Sequence, residues 1–215
     1  MTVIEYSQIP DLFEKIGKLF IEKKDELCEM DAKLGDGDLG LTMSKGYGAL
    51  PEILRSESGA AGGDAGKLLM KAGMKMSSSV PSTMGFLMST GVMEGGKALK
   101  GSSRIGKDEL ALYLEGFAAG VQKRGKCEAG QRTIYDAVLP AANAAKEEAK
   151  EAGADLQSVI TKAYEAAKAG VEATKDMVPV FGKAAVHAAA CKGVPDQGAV
   201  AGCYLIQGMY DYICG

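Results

Sequence analysis

The 215-residue sequence lacks tryptophan and contains a single histidine, His187. A Ser-His-Asp mechanism would therefore depend on His187 alone. The five cysteines are odd in number, lie far apart and form no C-x-x-C pair, which argues against a disulfide framework and against a zinc site. Any metal chemistry in this chain would consequently have to use oxygen ligands.

The sequence also lacks a long apolar run and a strong charge imbalance. No stretch of about 18 consecutive apolar residues occurs, so no membrane-spanning helix is expected. The first residues carry Glu5, Asp11 and Glu14 where a signal peptide would need a basic start, which predicts a mature cytoplasmic protein. The net charge of −3 disfavours nucleic acid and anionic membranes as partners. The length predicts one domain over residues 1–215.

The composition favours helices. Aromatic residues are only 6% of the sequence, whereas Ala, Leu, Met, Lys and Glu are abundant. We predict eight helices: about 8–30, from 39, after 64, 84–99, 107–123, 133–151, 155–175 and 198–213. Short links between them indicate an all-α bundle or closed helical barrel without strands, and the last helix should be buried on all sides. The long link 177–197 is expected to be functional or disordered.

The stretch LGDGDLGLTMSKGY, residues 34–47, contains the spacing G-x-G-x-x-G. In dinucleotide-binding proteins this pattern follows an apolar strand and opens a helix. Here the charged, helical stretch KKDELCEMDAKL precedes it, and Asp36 and Asp38 fill x positions, where carboxylates would repel phosphates. An oxidoreductase is therefore a weak alternative. A calcium-binding EF-hand fails too, because Tyr47 stands where the twelfth position needs Glu.

Two interpretations of the aspartates remain. Asp31, Asp36 and Asp38 can belong to a solvated turn between two helices, with Asp38 capping the helix that begins at Leu39. Alternatively, they form a Mg²⁺–phosphate site, since Mg²⁺ prefers oxygen ligands and commonly shares carboxylates with substrate phosphates. The amino-terminal end of the following helix would attract the same phosphates.

Three segments together resemble one family. They are similar, in the same order, to segments of the nucleotide-binding L subunit of dihydroxyacetone kinase, DhaL. The three segments are D-x-x-x-G-D-G-D-x-G-x-x-M at 31–43, RGKCEAGQRTIYDAVLP at 124–140 and GKAAVHAAACKGVPDQGA at 182–199. The same unit is the C-terminal domain of the single-chain kinases. The resemblance implies an eight-helix antiparallel up-and-down barrel with a nucleotide site at one end.

The resemblance also implies ligands and site residues. Asp31, Asp36 and Asp38 would bind two Mg²⁺ ions, and the nucleotide would be ADP or ATP. No side chain of this chain would be catalytic in itself, because the metal-bound phosphates carry the chemistry. The residues implied to contact the nucleotide are Leu39, Gly40, Leu41, Thr42, Ser82, Thr83, Met84, Gly125, Ile134, Lys183, Asp196 and Gly198.

By the same resemblance, the function is phosphoryl transfer to dihydroxyacetone or a related small ketose bound on a partner K subunit. A phosphohistidine-carrying phosphotransferase subunit of the DhaM type is a second implied partner, and a homodimer is compatible with the family. The sequence departs from the family pattern at Leu39, where a polar residue is usual, at Pro81 in the phosphate loop, and at Lys183, which replaces Arg. Leu39 and Pro81 motivate the alternative to a kinase subunit, which is a non-catalytic nucleotide- or partner-binding regulatory module.

Overall fold

The computed structural model describes residues 1–186 and 188–215, and the side chain of Lys183 also lies outside the description. The described residues form ten α-helices and one pair of two-residue antiparallel strands, β1 (Ile4–Glu5) and β2 (Arg104–Ile105). The helices are α1 (Ile9–Glu22), α2 (Lys24–Ala32), α3 (Leu39–Ala61), α4 (Ala65–Ser79), α5 (Thr83–Ala98), α6 (Lys107–Gly125), α7 (Tyr135–Lys150), α8 (Leu156–Ala173), α9 (Gly182–Val186) and α10 (Gln197–Ile213).

Eight of these helices form a closed barrel. α1 packs on α3, each of α3 to α7 packs on the next helix in the chain, α8 packs on α10, and α10 returns to pack on α1. The start of one helix lies beside the end of its neighbour, as Gly66 beside Gly96 in α4 and α5 and Gln157 beside Ile213 in α8 and α10, so successive helices run in opposite directions. The amino termini of α3, α5, α7 and α10 therefore lie at one end of the barrel. The predicted all-α, eight-helix antiparallel fold is confirmed.

The last helix has the buried position that its sequence predicted. α10 packs against α1, α7 and α8, and Leu205 and Ile206 near its middle are fully buried. Between α1 and α3 the rings of Phe20 and Tyr47 contact each other, with their planes tilted by 30° and their centroids 4.8 Å apart. The barrel interior is thus filled by side chains, with a small cavity of about 10 Å³ next to Phe13, Tyr113 and Met209.

Two local expectations were wrong. The helix predicted over 8–30 is broken at Lys23, so that α2 turns away from α1 and packs against α3 and α10. The sequence of α2 has a weak apolar pattern, with Leu27 as its only fully buried side chain, and it does not continue the wide apolar face of α1. The short β1–β2 pair was also not expected; it ties the amino terminus to the connection between α5 and α6.

The long link before α10 is partly ordered into short helices. It contains α9 and a 3-10 turn at Ala188–Cys191, and another 3-10 turn, Thr174–Asp176, follows α8. Pro140 lies inside α7 rather than at its start. None of the described helices combines the length and apolarity needed to cross a membrane.

The contact that closes the barrel leads to a stability prediction. A Cβ placed on Gly208 of α10 would lie 2.8 Å from the Cα of Ile16 in α1. We expect Gly208→Ala to lower the free energy of unfolding by about 1–3 kcal/mol, because the two helices must move apart. Gly59→Ala is the matched control, since no atom lies within 4 Å of a Cβ there. That variant should be neutral or stabilised by about 0.5–1 kcal/mol. Equal urea midpoints for the two variants would contradict the prediction.

Candidate functional site

One end of the barrel brings together the amino termini of four helices. The Oγ1 atom of Thr42 in α3 lies 3.2 Å from Oγ of Ser82, which precedes α5. A Cβ on Gly198 in α10 would lie 3.3 Å from both the Ile134 nitrogen, just before α7, and the terminal methyl carbon of Met84 in α5. Helix amino termini carry unpaired N–H groups and partial positive charge, so this end of the barrel is suited to an anion.

The carboxylate of Asp31 organises the turn between α2 and α3. Its Oδ2 atom accepts hydrogen bonds from the backbone N–H groups of Gly37 at 2.9 Å, Asp38 at 3.1 Å and Leu39 at 3.3 Å. Asp38 occupies the N-cap position of α3, but its side chain makes no capping bond. The helix is therefore capped from the preceding helix by Asp31, and not by Asp38 as a simple turn would predict.

Two glycines of the turn have different physical roles. Gly37 has a φ of +76°, a left-handed conformation that glycine adopts without strain. Gly40 is buried against α2, where a Cβ would lie 1.9 Å from the carbonyl oxygen of Lys24. The missing side chain of Gly40 thus serves the packing of two helices. The G-x-G-x-x-G spacing does not open a nucleotide-binding βαβ unit, because α2 precedes it.

The three aspartates are placed at the site end but are not assembled into a metal cage. The side chains of Asp36 and Asp38 are exposed on the turn, and Asp31 is partly buried behind them. Across the described part of the chain, no three His, Cys, Asp or Glu side chains are arranged to hold a metal ion. The donors are nevertheless all oxygens, and Mg²⁺ commonly takes one or two carboxylates together with phosphates and water. The residues fit such a shared site, and their role as ligands stays a prediction.

Some side chains of the first turn of α3 point into the core, and others lie at the surface. Leu39, the residue that departs from the family pattern, is 5% exposed and belongs to the hydrophobic core. Its side chain therefore points away from the site, while its N–H group contacts Asp31. Leu41 is 55% exposed, and Thr42 contacts Ser82. In this turn the hydroxyl group of Thr42 is the side-chain group that faces the start of α5.

The start of α5 has a neutral cap. Ser82 accepts a hydrogen bond from the N–H group of Gly85 at 3.0 Å, as expected for an N-cap residue. Thr83 and Met84 follow as the first residues of the helix, and their N–H groups have no partner within it. Proline has no backbone N–H group, but Pro81 lies before the cap. The N–H groups at the start of α5 are therefore all present.

A second loop at this end is organised by Asp136, a residue that the sequence analysis did not single out. Asp136 is buried and accepts hydrogen bonds from the N–H groups of Gly130 at 2.6 Å and Thr133 at 2.7 Å. The spacing T-x-x-D at 133–136 matches a helix capping box and could have revealed this role. The bonds fix the loop that leads to Ile134, beside the start of α10.

Asp196 caps α10 inside the protein. Its carboxylate accepts from the N–H group of Ala199 at 2.8 Å and from Nη1 of Arg132 at 3.3 Å. Burial raises the pKa of the Asp196 carboxyl to about 6, although the hydrogen bond from Ala199 and the charge of Arg132 act in the opposite direction. The backbone N–H group of Asp196 also donates to Oγ1 of Thr174 at 2.9 Å. Nothing in the local sequence marks Arg132 as a buried residue of this end of the barrel.

Residues 177–195, which we call the closing segment, pack onto the aspartate turn. Leu34 of that turn forms a small buried cluster with Ala184 and Cys191. The side chain of Lys183, predicted to contact a phosphate, and the lone histidine, His187, lie outside the described residues. The phosphate contact predicted for Lys183 and any role of His187 are therefore not tested by the geometry.

The remaining predicted contact residue lies at the same end. Gly125 is the last residue of α6, whose carboxyl terminus adjoins the start of α5 in the antiparallel ring. A Cβ on it would lie 3.1 Å from Cδ2 of Leu87 in α5. The predicted residues whose placement is described thus share one end of the barrel, although none of the contacts to a nucleotide is tested.

Residues 33–211 match the DAK2 domain family. This chain belongs to that family. The match includes the barrel from the aspartate turn to the last turn of α10, and it begins two residues after Asp31.

Named relatives of this DAK2 domain differ in length. The ADP-binding subunit DhaL of a PEP-dependent dihydroxyacetone kinase from Listeria innocua is 30% identical over 173 residues, which are 80% of this chain and 79% of that subunit. The Escherichia coli DhaL subunit is 26% identical over 94% of both chains. Human triokinase/FMN cyclase is 30% identical over 94% of this chain, but the match is only 34% of that protein.

A solved structure shares the DAK2 fold. The crystal structure of the dihydroxyacetone kinase from C. freundii in complex with AMP-PNP and Mg²⁺ superposes with a TM-score of 0.68 at 20% identity. The superposition covers 96% of this chain and 34% of that kinase. The likeness establishes the all-α fold.

The Asp31 cap predicts a difference between two neighbouring aspartates. Asp31→Ala leaves three N–H groups without their acceptor, and we expect a loss of about 1–2 kcal/mol in the free energy of unfolding. Asp38→Ala is the control, because that side chain makes no capping bond. It should change stability by less than about 0.5 kcal/mol. Urea unfolding followed by circular dichroism measures both, and equal losses would contradict the assignment of the cap.

The pKa of Asp196 predicts a dependence of stability on pH. Its folded value of about 6 exceeds the ordinary value of 3.8, so the folded protein binds more protons between these values. The contribution of this group to stability is therefore greatest below pH 4 and is lost as the pH rises to about 6. Relative to Asp196→Asn, the free energy of unfolding should fall by about 3 kcal/mol over that range. A difference between the two proteins that does not change with pH would be inconsistent with the raised pKa.

Proposed function

We propose that this chain is the nucleotide-binding subunit of a dihydroxyacetone-type kinase that acts in the cytoplasm. It would present ADP or ATP with two Mg²⁺ ions for phosphoryl transfer to dihydroxyacetone or a related small ketose on a partner K subunit. The observation that carries the proposal is the contact between Thr42 and Ser82, which joins the aspartate turn to the start of α5. Relatives named as ADP-binding DhaL subunits support it.

The phosphates would lie between the starts of α3 and α5. Of the four helices that begin at this end, α3, α7 and α10 have a carboxylate at their first residues, from Asp31, Asp136 and Asp196 respectively. The first turn of α5 has no acidic residue, and its cap, Ser82, is neutral. Its positive end is therefore the one least compensated by protein charge, which favours a bound anion there.

The aspartates would hold the metal on the solvent side of the phosphates. Asp36 and Asp38 are exposed on the turn, and Asp31 is within reach behind them. Bound Mg²⁺ supplies charge neutralisation and polarises the phosphoryl group, which is the chemistry that phosphoryl transfer needs. The protein's own contribution is to hold the turn rigid through Asp31 and to exclude water with the closing segment.

The adenosine would lie against the neighbouring apolar surface. Met84, Ile134 and Gly198 approach each other closely, and Gly125 lies at the adjoining end of α6. A planar base packed between apolar side chains and small residues is a common arrangement in ligand sites.

The exposed apolar residues near the site support a protein partner. Val178, Val180, Phe181 and Val186 of the closing segment, together with Leu41, are between 41% and 80% exposed. Large apolar side chains clustered on one surface commonly mark a protein interface. A K subunit docked on this surface would supply the second substrate. The phosphoryl donor would be ATP or a phosphohistidine protein of the DhaM type.

The first test is nucleotide binding by titration calorimetry with ADP or ATP, with and without Mg²⁺. The unchanged chain should bind nucleotide more tightly when Mg²⁺ is present. Asp36→Ala should remove most of that Mg²⁺ effect, whereas Asp108→Ala, an exposed aspartate at the far end of the barrel, should retain it. No binding at millimolar nucleotide would refute the proposal, and an unchanged Mg²⁺ effect in Asp36→Ala would refute the proposed ligands.

The second test is phosphoryl transfer in a reconstituted system. The chain is combined with a K subunit, dihydroxyacetone and either ATP or a PEP-driven phosphocarrier system, and phosphorylated ketose is measured. Product with one donor identifies that donor. Nucleotide binding without product from either donor would favour the regulatory-module alternative.

A further inference from the structure

The strongest observation outside the proposed chemistry concerns Arg132. This side chain is 3% exposed, and its backbone has a φ of +57°, which is uncommon for a residue other than glycine. Its Nη1 atom donates to Asp196 at 3.3 Å, and its Nη2 atom donates to the carbonyl oxygen of Val194 at 3.0 Å. Nε is buried without a hydrogen-bond partner among the described residues.

Stability alone does not account for this arrangement. Burying a guanidinium group costs solvation free energy that a single carboxylate and a carbonyl offset only in part, and the unpaired Nε adds to that cost. A left-handed backbone at a residue with a Cβ is a further cost. Unfavourable local features of this kind are found where a residue is held for its position.

The partners of Arg132 lie at one end of the closing segment, whose two ends are joined. Val194 belongs to the segment, and Asp196 follows it directly. The N–H group of Asp196 donates to Thr174, just before the segment begins, and the N–H group of Gly193 donates to the Lys175 carbonyl oxygen at 2.9 Å. Arg132 thus connects the loop before α7 to the base of the closing segment.

A second contact links the same two parts. The N–H group of Val180, near the start of the closing segment, donates to the carbonyl oxygen of Gln131 at 3.4 Å. Further along, Ala184 and Cys191 of the segment pack on Leu34 of the aspartate turn. A change in how the segment is anchored at Arg132 would therefore be transmitted to the surface that faces the phosphates.

We propose that Arg132 is the positioning residue that fixes the closing segment over the nucleotide, and so sets how fast the nucleotide leaves. This inference rests on the proposed function for its ligand, but not for its structural part. Arg132 itself contacts the segment and the cap of α10. The planar guanidinium can donate to Asp196 and Val194 at once, whereas an ammonium group is a single point of charge.

The experiment compares Arg132→Met and Arg132→Lys with Val159→Ala. Val159 is fully buried near the start of α8, at the opposite end of the barrel, so its truncation lowers stability without altering the network around Arg132. Dissociation of Mg²⁺–ADP is measured by stopped flow with a fluorescent ADP analogue, and backbone hydrogen exchange is followed by mass spectrometry.

In Arg132→Met we expect nucleotide to dissociate about tenfold faster, since two charge-assisted hydrogen bonds are lost. Exchange should accelerate in residues 177–195 and not in the barrel helices. Arg132→Lys should lie between this variant and the unchanged protein. In Val159→Ala the rate of nucleotide dissociation should stay within about twofold of that of the unchanged protein. This should hold even if its melting temperature falls as far as that of Arg132→Met.

Several results would overturn the inference. One is a nucleotide dissociation rate within about twofold of the unchanged protein in both Arg132 variants. Another is an acceleration of dissociation in Val159→Ala equal to that in the Arg132 variants. If Arg132→Met does not fold, Arg132→Lys decides, with an acceleration of at least about threefold expected. If the unchanged chain binds no nucleotide, the proposed function fails, and hydrogen exchange then tests the positioning role separately. Unchanged hydrogen exchange of residues 177–195 in the Arg132 variants overturns that role, whereas selectively faster exchange there supports it.

Discussion

Closing eight antiparallel helices into a ring forces four of their amino termini onto one end of the barrel, and this constraint underlies the rest of the molecule. Each terminus has unpaired N–H groups and a partial positive charge. Four of them together would leave this end of the fold poorly compensated. The chain responds with buried or partly buried acceptors. Asp31 accepts hydrogen bonds from three backbone N–H groups there, Asp136 from two and Asp196 from one.

This compensation leaves one helix start of an acidic protein suited to an anion. The carboxylates that accept backbone hydrogen bonds are occupied by the helix ends that they compensate, and Ser82 leaves the start of α5 without a countercharge. The side chains of Asp36 and Asp38 are exposed on the turn, where a cation shared with phosphates would offset their charge. Groups of opposite charge can then alternate within one compact site: positive helix ends, negative side chains, a divalent cation and phosphates.

The helices and their order could be predicted because they depend on local patterns. Apolar spacing predicts the core faces, and α4 begins directly after Asp64, which caps it through its side chain. The break at Lys23 could not be predicted, since it depends on how α2 packs across α3 at Gly40. Leu39 is instructive as well: its departure from the family pattern is explained by burial, which a single sequence does not reveal.

The candidate site was only partly predictable for a related reason. The aspartate turn has a recognisable spacing, but the sequence could not show that Asp31 holds the turn through its side chain. Arg132 was missed because nothing local marks it as buried; its role depends on partners more than 60 residues away in the chain. Interactions of that range require the fold before they can be recognised.

The bond between Asp196 and Thr174 has a consequence for how this protein family can diversify. It joins the two ends of a segment whose interior contributes little to the core of the barrel. The entropy of closing a loop rises only slowly with its length, by about 0.6 kcal/mol for each doubling. Insertions and substitutions within the segment should therefore be tolerated at little cost to folding, so that recognition of new partners can evolve there while the barrel remains unchanged.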